Sequence, residues 1–164
     1  MLKLVLPSKK YIIGNTAYIN ELYKKREISK KELDDKIEQR KNISAFLKKL
    51  NNSKTTFIYW LVDDNKFIGV LRLSKRLNKK LRIRGGNIGY AIRPSERKKG
   101  YGTEILRLGL LKAKVGGFKK IRIDCRENNI ASKKIIEENG GVFIKKTNIK
   151  GQGPQSLHYY INIK

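Results

Sequence analysis

From residue 87 to 93, apolar Ile88, Tyr90 and Ile92 alternate with Gly89, Ala91 and Arg93, the two-residue period of a pleated strand. Pro94 has no N–H to donate and ends the ladder. After the turn Arg97-Lys98-Lys99-Gly100-Tyr101-Gly102, residues Ile105, Leu106, Leu108, Leu110, Leu111 and Val115 make one broad helical face, with Thr103 and Glu104 in its first turn. Gly116-Gly117 closes that helix. The unit is strand, glycine turn, helix N-terminus, and the remaining segments flank it.

Upstream, Leu2, Leu4 and Leu6 alternate with Lys3 and Val5 in a short strand stopped by Pro7. Tyr11, Ile12, Ala17, Tyr18, Leu22 and Tyr23 predict a helix from Ser8 to about Arg26, weakened by Gly14 and Asn15. Ser29 and Glu32 form a capping box that opens a second helix, running through Leu33, Ile37, Phe46 and Leu50 with a break near Asn42. Thr55–Val62 and Phe67–Ser74 read as a hairpin around Asp63-Asp64-Asn65-Lys66. The basic stretch 76–86 reads as a loop bordering the central strand. Downstream come a strand over Lys120–Arg126, a helix over Ala131–Glu138 and strands over Val142–Lys146 and Leu157–Ile163, the last two joined by a Gly/Gln/Pro-rich loop from Asn148 to Gln155. No repeat or linker interrupts the chain, so residues 1–164 read as one domain with one core.

Charge adds a question about partners. The formal net charge is +25, and no acidic residue stands between Asn65 and Pro94. An anionic partner (nucleic acid, ribosome, an acidic substrate) accounts for this, and so does a low-GC codon bias that enriches Lys, Asn and Ile together. No aromatic-interleaved basic repeat or zinc finger favours nucleic acid. One cysteine, Cys125, and one histidine, His158, leave little from which to build a metal site, so no metal is expected. No apolar run approaches the ~20 residues of a membrane helix, and MLKLVLPSKK is too short an apolar start for a secretory signal. A cytoplasmic protein, monomer or homodimer, is the expectation.

The glycine turn carries the chemistry. First-turn amides of a helix are unpaired and bear partial positive charge. Glycines admit close approach and positive φ, while Arg97, Lys98 and Lys99 add charge around an anion. A phosphate site and an ordinary strand-to-helix turn both fit these features.

The spacing Arg97-x-x-Gly100-x-Gly102 after an apolar strand resembles the acetyl-CoA signature of the GNAT N-acetyltransferase superfamily. IGYAIRPSERKKGYGTEIL, with NNIASKKIIEENGGV at 128–142, is similar more specifically to a little-characterised bacterial branch of predicted acetyltransferases. The resemblance runs from about Thr55 to the C-terminus. It implies the GNAT fold, a mixed α/β layer structure in the order β-α-α-β-β-β-α-β-α-β-β, which the predicted elements follow. It implies acetyl-CoA as co-substrate, its pyrophosphate on the amides and side chains of Arg97, Lys98, Lys99, Gly100, Tyr101, Gly102 and Thr103. In that fold the strands at 87–93 and 120–126 splay apart, often with a bulge on the former, and amides near Ile92 and Arg93 hold the pantetheine arm. Asn129 and Ser132 fall where relatives line the pantetheine.

Amine acetylation requires loss of a proton from an ammonium of pKa ~10.4, and much of the rate comes from positioning, with effective molarities of about 10⁵ M and beyond. Relatives carry a general-acid Tyr four residues after the Ser position; here that position is Ile136. Ser132 is therefore a candidate for protonating sulfur, or a residue that only binds cofactor or caps its helix. Tyr90 reads either as a core aromatic or as a site hydroxyl. Asp124 is a candidate base or half of a buried ion pair, with Glu127 nearby. Cys125 reads as a buried hydrophobe, and His158 either walls the acceptor side or sits in a plain strand. The related branch often has His where Asn87 stands. Three functions follow: an acetyltransferase acting on a primary amine, a nucleic-acid or ribosome-associated module on the same fold, or a non-catalytic acyl-CoA-binding protein. The basic surface disfavours polycationic acceptors.

Overall fold

The alternation at 87–93 becomes β4 (Ile88–Ile92), fourth of seven strands in a computed structural model that describes residues 1–148 and 153–163. The elements in chain order are β1 (Leu2–Val5), α1 (Ile12–Lys24), α2 (Lys30–Lys41), α3 (Ile43–Asn51), β2 (Thr56–Asp63), β3 (Lys66–Ser74), α4 (Lys79–Ile83), β4, α5 (Tyr101–Val115), β5 (Lys120–Arg126), α6 (Ile130–Glu138), β6 (Val142–Thr147) and β7 (Ser156–Asn162). The sheet order is β1-β2-β3-β4-β5-β7-β6, with only β4 and β5 parallel. Part of the expected 148–155 loop, residues 149–152, lies outside the described residues.

Local chemistry explains most boundaries. Ser29 and Glu32 exchange the two hydrogen bonds of a capping box at α2. Asn42 ends α2 and caps α3 by accepting from Ala45 N at 3.0 Å, so the expected break separates two helices. The first helix starts later than predicted, at Ile12, after a 3₁₀ turn at Lys9–Tyr11. The stretch read as a loop contains the short α4, capped by Asn78, whose side chain accepts from Leu81 N. Its five residues bury no side chain, so no periodic apolar signal announces it.

The two faces of the sheet make two cores. Leu61, Leu71, Ile88 and Ile123 pack under Ile105 and Leu106 of α5 and Ile136 of α6. Trp60, Val62 and Phe67 face Tyr18 and Ile19 of α1, Leu33 of α2 and Phe46 of α3. Each such side chain, fully buried, stabilises by about 1.5–3 kcal/mol. Among the described residues no helix is long and apolar enough to cross a membrane.

Candidate active site

β4 and β5 share one register position, Ile88 opposite Ile123, and diverge beyond it. Asn87 holds the closed end of this wedge. Its N–H donates to Arg122 O at 2.7 Å, its Oδ1 accepts from Arg122 N at 3.0 Å, and its Nδ2 donates to Ser74 O at 2.9 Å. Gly86, at φ 60°, lets the chain cross there; a Cβ would lie 2.3 Å from Arg122 O. The splay arises without the anticipated bulge on β4, whose pairing with β3 is continuous from Ile88 to Ile92. Asn87 is thus a structural clamp, a role that spacing alone did not reveal.

Arg93 N donates to Ile68 O of β3 at 2.9 Å. Strand alternation then turns the N–H groups of Tyr90 and Ile92 toward the open side of the wedge. This corrects the expectation for Arg93: its amide is spent on β3, and its guanidinium grips Glu21 of α1 at 2.7 Å.

Past Pro94 the chain makes a 3₁₀ turn, then takes left-handed conformations at Lys98 (φ 63°) and Gly100 (φ 80°) before entering α5. Thr103 N and Glu104 N both donate to Gly100 O. The amides of Tyr101 and Gly102 have no carbonyl one turn back and face outward as donors. A Cβ on Gly100 would meet nothing within 4 Å, so the backbone is bare there. Gly102 has another task than the one foreseen. It is not left-handed; a Cβ on it would lie 2.5 Å from Ile135 Cδ1, so its bareness seats α6 against α5.

The basic residues of the turn divide. Lys98 lines the cleft. Arg97 also lines it, but its Nη groups hold Glu27 at 2.5 and 2.8 Å while its Nε donates to Ile92 O at 3.1 Å. Lys99 turns away and donates to Glu96 at 3.0 Å; Glu96 is buried and also bound to Lys66. Tyr101 packs beside the sheet-side core, its hydroxyl 3.5 Å from Asp63. Lys99 and Tyr101 side chains are therefore outside the cleft.

At its inner end the cleft meets two hydroxyls. Tyr90 Oη lies 3.1 Å from Ser132 Oγ. Ser132 is placed by Asn129, whose Oδ1 accepts from Ser132 N at 3.0 Å and caps α6. Burial pushes the Tyr90 phenol up to about 12, against a smaller pull from the Ser132 hydrogen bond. Ile136 is fully buried in the core and faces away from the cleft; Ile135 lines it. The position anticipated for a general-acid Tyr is thus a core position here, and a hydroxyl in the cleft comes from Tyr90.

The whole cleft encloses about 810 Å³, running from Gly100, Gly102 and Thr103 past Ile92 to Tyr90 and Ser132. On the opposite face of the sheet a second cavity of about 440 Å³ lies under α1, α2 and α3, and it too is lined by Tyr90 and Ala91. The remaining candidates sit apart from both. Asp124 is buried and bonds Arg122, Gly85 N and His158 Nδ1, and His158 Nε2 contacts Thr147. This is the buried ion-pair alternative for Asp124. Cys125 is a free thiol in the core, pushed up to about 11 mainly by burial. Among the described residues no cluster of His, Cys, Asp and Glu is placed to hold a metal.

Comparison with known proteins gives a consistent answer. A family profile described as acetyltransferase (GNAT) domain matches residues 14–142. The fold is similar to a GNAT-family acetyltransferase from Streptococcus pneumoniae (TM-score 0.72, 15% identity, 100% of both chains). It is also similar to the microcin self-immunity acetyltransferase MccE in complex with acetyl-CoA and AMP (TM-score 0.71, 17% identity, 99% of this chain and 92% of that one). A third is a chimera of the spermidine N-acetyltransferase SpeG from Vibrio cholerae with hSSAT (TM-score 0.68, 18% identity, 98% and 94%). No curated protein sequence matches. With the family profile spanning most of the chain, over a wedge between β4 and β5 and a bare helix N-terminus, the chain belongs to the GNAT acetyltransferases and is an acyltransferase enzyme.

Proposed function

We propose that this protein, acting as one domain over its 164 residues, moves an acetyl group from acetyl-CoA to a primary amine. The observation that carries this reading is the continuity of the cleft. One passage joins the bare backbone at Gly100 and Gly102, where α5 begins, to Ile92 and the Tyr90–Ser132 hydroxyl pair. Acetyl-CoA supplies an activated acyl carbon on a sulfur leaving group.

The residues divide the work by place. The amides of Tyr101 and Gly102, with Lys98 and Arg97 beside them, receive the pyrophosphate at the positive end of α5. The N–H groups of Ile92 and Tyr90 take the place of a neighbouring strand for the extended pantetheine arm. Asn129 keeps Ser132 beside the wedge. Tyr90 stays protonated at every working pH and aims an O–H donor at the sulfur. The amine arrives from the second cavity, whose lining shares Tyr90 and Ala91 with the cleft. Its nitrogen forms the C–N bond as the C–S bond breaks, and the proton that it sheds ends on the thiol. Among the relatives, the solved MccE carries acetyl-CoA and SpeG is a spermidine N-acetyltransferase, which supports an amine acceptor.

Acetyl-CoA binding is the direct test. At 100-fold excess over Kd the linkage stabilisation is about 2.7 kcal/mol, which raises Tm by several degrees in a domain of this size. An unchanged Tm with millimolar acetyl-CoA would refute the proposal.

A further inference from the structure

The second cavity has a composition that bears on the acceptor. Its walls are partly aromatic, from Tyr18, Phe46 and Trp60, and its charged residues are Lys36, Arg40 and Arg72; among the described residues no carboxylate lines it. Both arginines are half-buried, yet neither grips a carboxylate. Arg40 donates to Asn15 Oδ1 from Nε at 3.1 Å and Nη2 at 2.8 Å, and to Lys36 O at 2.5 Å, with its guanidinium carbon 4.6 Å from the Phe46 ring centroid. Arg72 donates to Ser74 Oγ at 2.7 Å and to the carbonyls of Gly85 and Gly86 at 3.4 and 3.3 Å.

Arg93, Arg97 and Arg122 each hold a Glu or Asp. Arg40 and Arg72 face neutral acceptors, and a guanidinium taken out of water is compensated fully only by an anion. Asp124 acts on Arg72 through space, but its oxygens are committed to Arg122, Gly85 N and His158. Burial pulls both guanidinium pKa values down, Arg40 and Arg72 alike, and both stay charged at working pH. Gly89 keeps Arg72 open to the cavity: a Cβ there would sit 3.1 Å from its Nη2.

We infer that the acceptor is an amine that also bears an anionic group, a carboxylate or a phosphate-like group, on an apolar body. The anion lies on Arg40 and Arg72, the body lies against Tyr18, Phe46 and Trp60, and the amine points to Tyr90, which both cavities share. Polyamines are rejected because they would meet Lys36, Arg40 and Arg72 with like charge. This inference rests on the acetyl-transfer reading for the amine, but its anion site is testable without turnover.

Three amines on one skeleton make the test: L-phenylalanine, 1-amino-2-phenylethylphosphonate and 2-phenylethylamine, with spermidine as the polycation. Thiol release from acetyl-CoA should show kcat/KM for one of the anionic pair at least about 30-fold above 2-phenylethylamine, the size of a lost charge-assisted contact. Which of the two is preferred distinguishes carboxylate from phosphate. Arg40→Gln and Arg72→Gln should raise KM for that amine about tenfold or more, with the acetyl-CoA-induced rise in Tm retained as the control for folding; Arg40→Lys should recover part of the loss.

Binding of 3-phenylpropionate, which has no amine, is measured alongside by calorimetry. It should bind the wild type and weaken about tenfold in Arg40→Gln. Equal or better use of 2-phenylethylamine or spermidine overturns the inference while acetyl transfer stands. So does an absence of 3-phenylpropionate binding in a protein that acetylates none of the anionic amines. Arginine-dependent binding of 3-phenylpropionate in a protein that does not bind acetyl-CoA would leave the anion site standing and remove the acetyl-transfer reading.

Discussion

Tyr90 sets the character of the proposed chemistry, because its phenol is held near 12 by burial. Handing its proton to a thiolate of pKa about 8.5 would be uphill by about 5 kcal/mol. Tyr90 therefore stabilises the departing sulfur by a hydrogen bond, and the proton comes from the amine. Tyr90→Phe should lower kcat about 10- to 100-fold and leave acetyl-CoA affinity within about threefold. Ser132→Ala, which removes a partner of that phenol at 3.1 Å, should cost less. A raised pKa means that the O–H persists to high pH, so the rate should rise with deprotonation of the amine and show no fall from Tyr90 below about pH 10. A descending limb near neutrality that vanishes in Tyr90→Phe would overturn this role.

The junction of α5 and α6 depends on two positions with no side chain to spare. Gly102 admits Ile135, and Ile136 fills the core beneath. Gly102→Val should therefore act on packing first, costing about 1–3 kcal/mol as Ile135 is displaced. Because Ile135 also lines the cleft, acetyl-CoA binding should weaken in the same variant. Urea unfolding measures the first effect and calorimetry the second; an unchanged unfolding midpoint would show that the helices part without cost. Ile136→Tyr, attractive if that position faced the cleft, should instead destabilise by overpacking.

Ion pairs tie the helical layer to the turn that leads into α5. Glu21 holds Arg93 and Ser95, Glu27 holds Arg97, and buried Glu96 holds Lys66 and Lys99. For Glu27 the Arg97 hydrogen bonds are the main cause of a lowered pKa. For Glu21 and Glu96 burial works in the opposite direction and is outweighed, by Arg93 and Ser95 in one case and by the two lysines in the other. A carboxylate depressed in the folded state gives stability that is full above its unfolded pKa of about 4.5 and lost as pH falls through the lower folded value. Protonation also adds to a net charge of +25, so repulsion grows in the same window. Tm should be nearly flat from pH 6 to 8 and fall steeply below about 4.5, with salt recovering part of the loss. Glu96→Gln should cost about 1–3 kcal/mol at neutral pH and make that acid slope shallower. A wild-type Tm that stays flat to pH 3 would contradict the assignment.

Periodicity and caps, which act within a few residues, made the strands, the helix at 101–115, the Ser29 capping box and the break at Asn42 legible in the chain. The glycine turn at a helix N-terminus was legible for the same reason, since its geometry is local. α4 was not, because five residues that bury nothing leave no period. The fate of each cation was not legible either. Arg93 and Lys99 look like Arg97 and Lys98 in sequence, yet Arg93 is claimed by Glu21, 72 residues away, and Lys99 by a buried Glu96. Tyr90 and Ser132 are brought together across 42 residues by the wedge. Arg40 of α2 and Arg72 of β3 share one cavity only in the packed fold. Local backbone preference belongs to the chain, while the pairing of distant charges and the shape of a cavity belong to the packed fold, where low dielectric and close contact select partners that no spacing rule encodes.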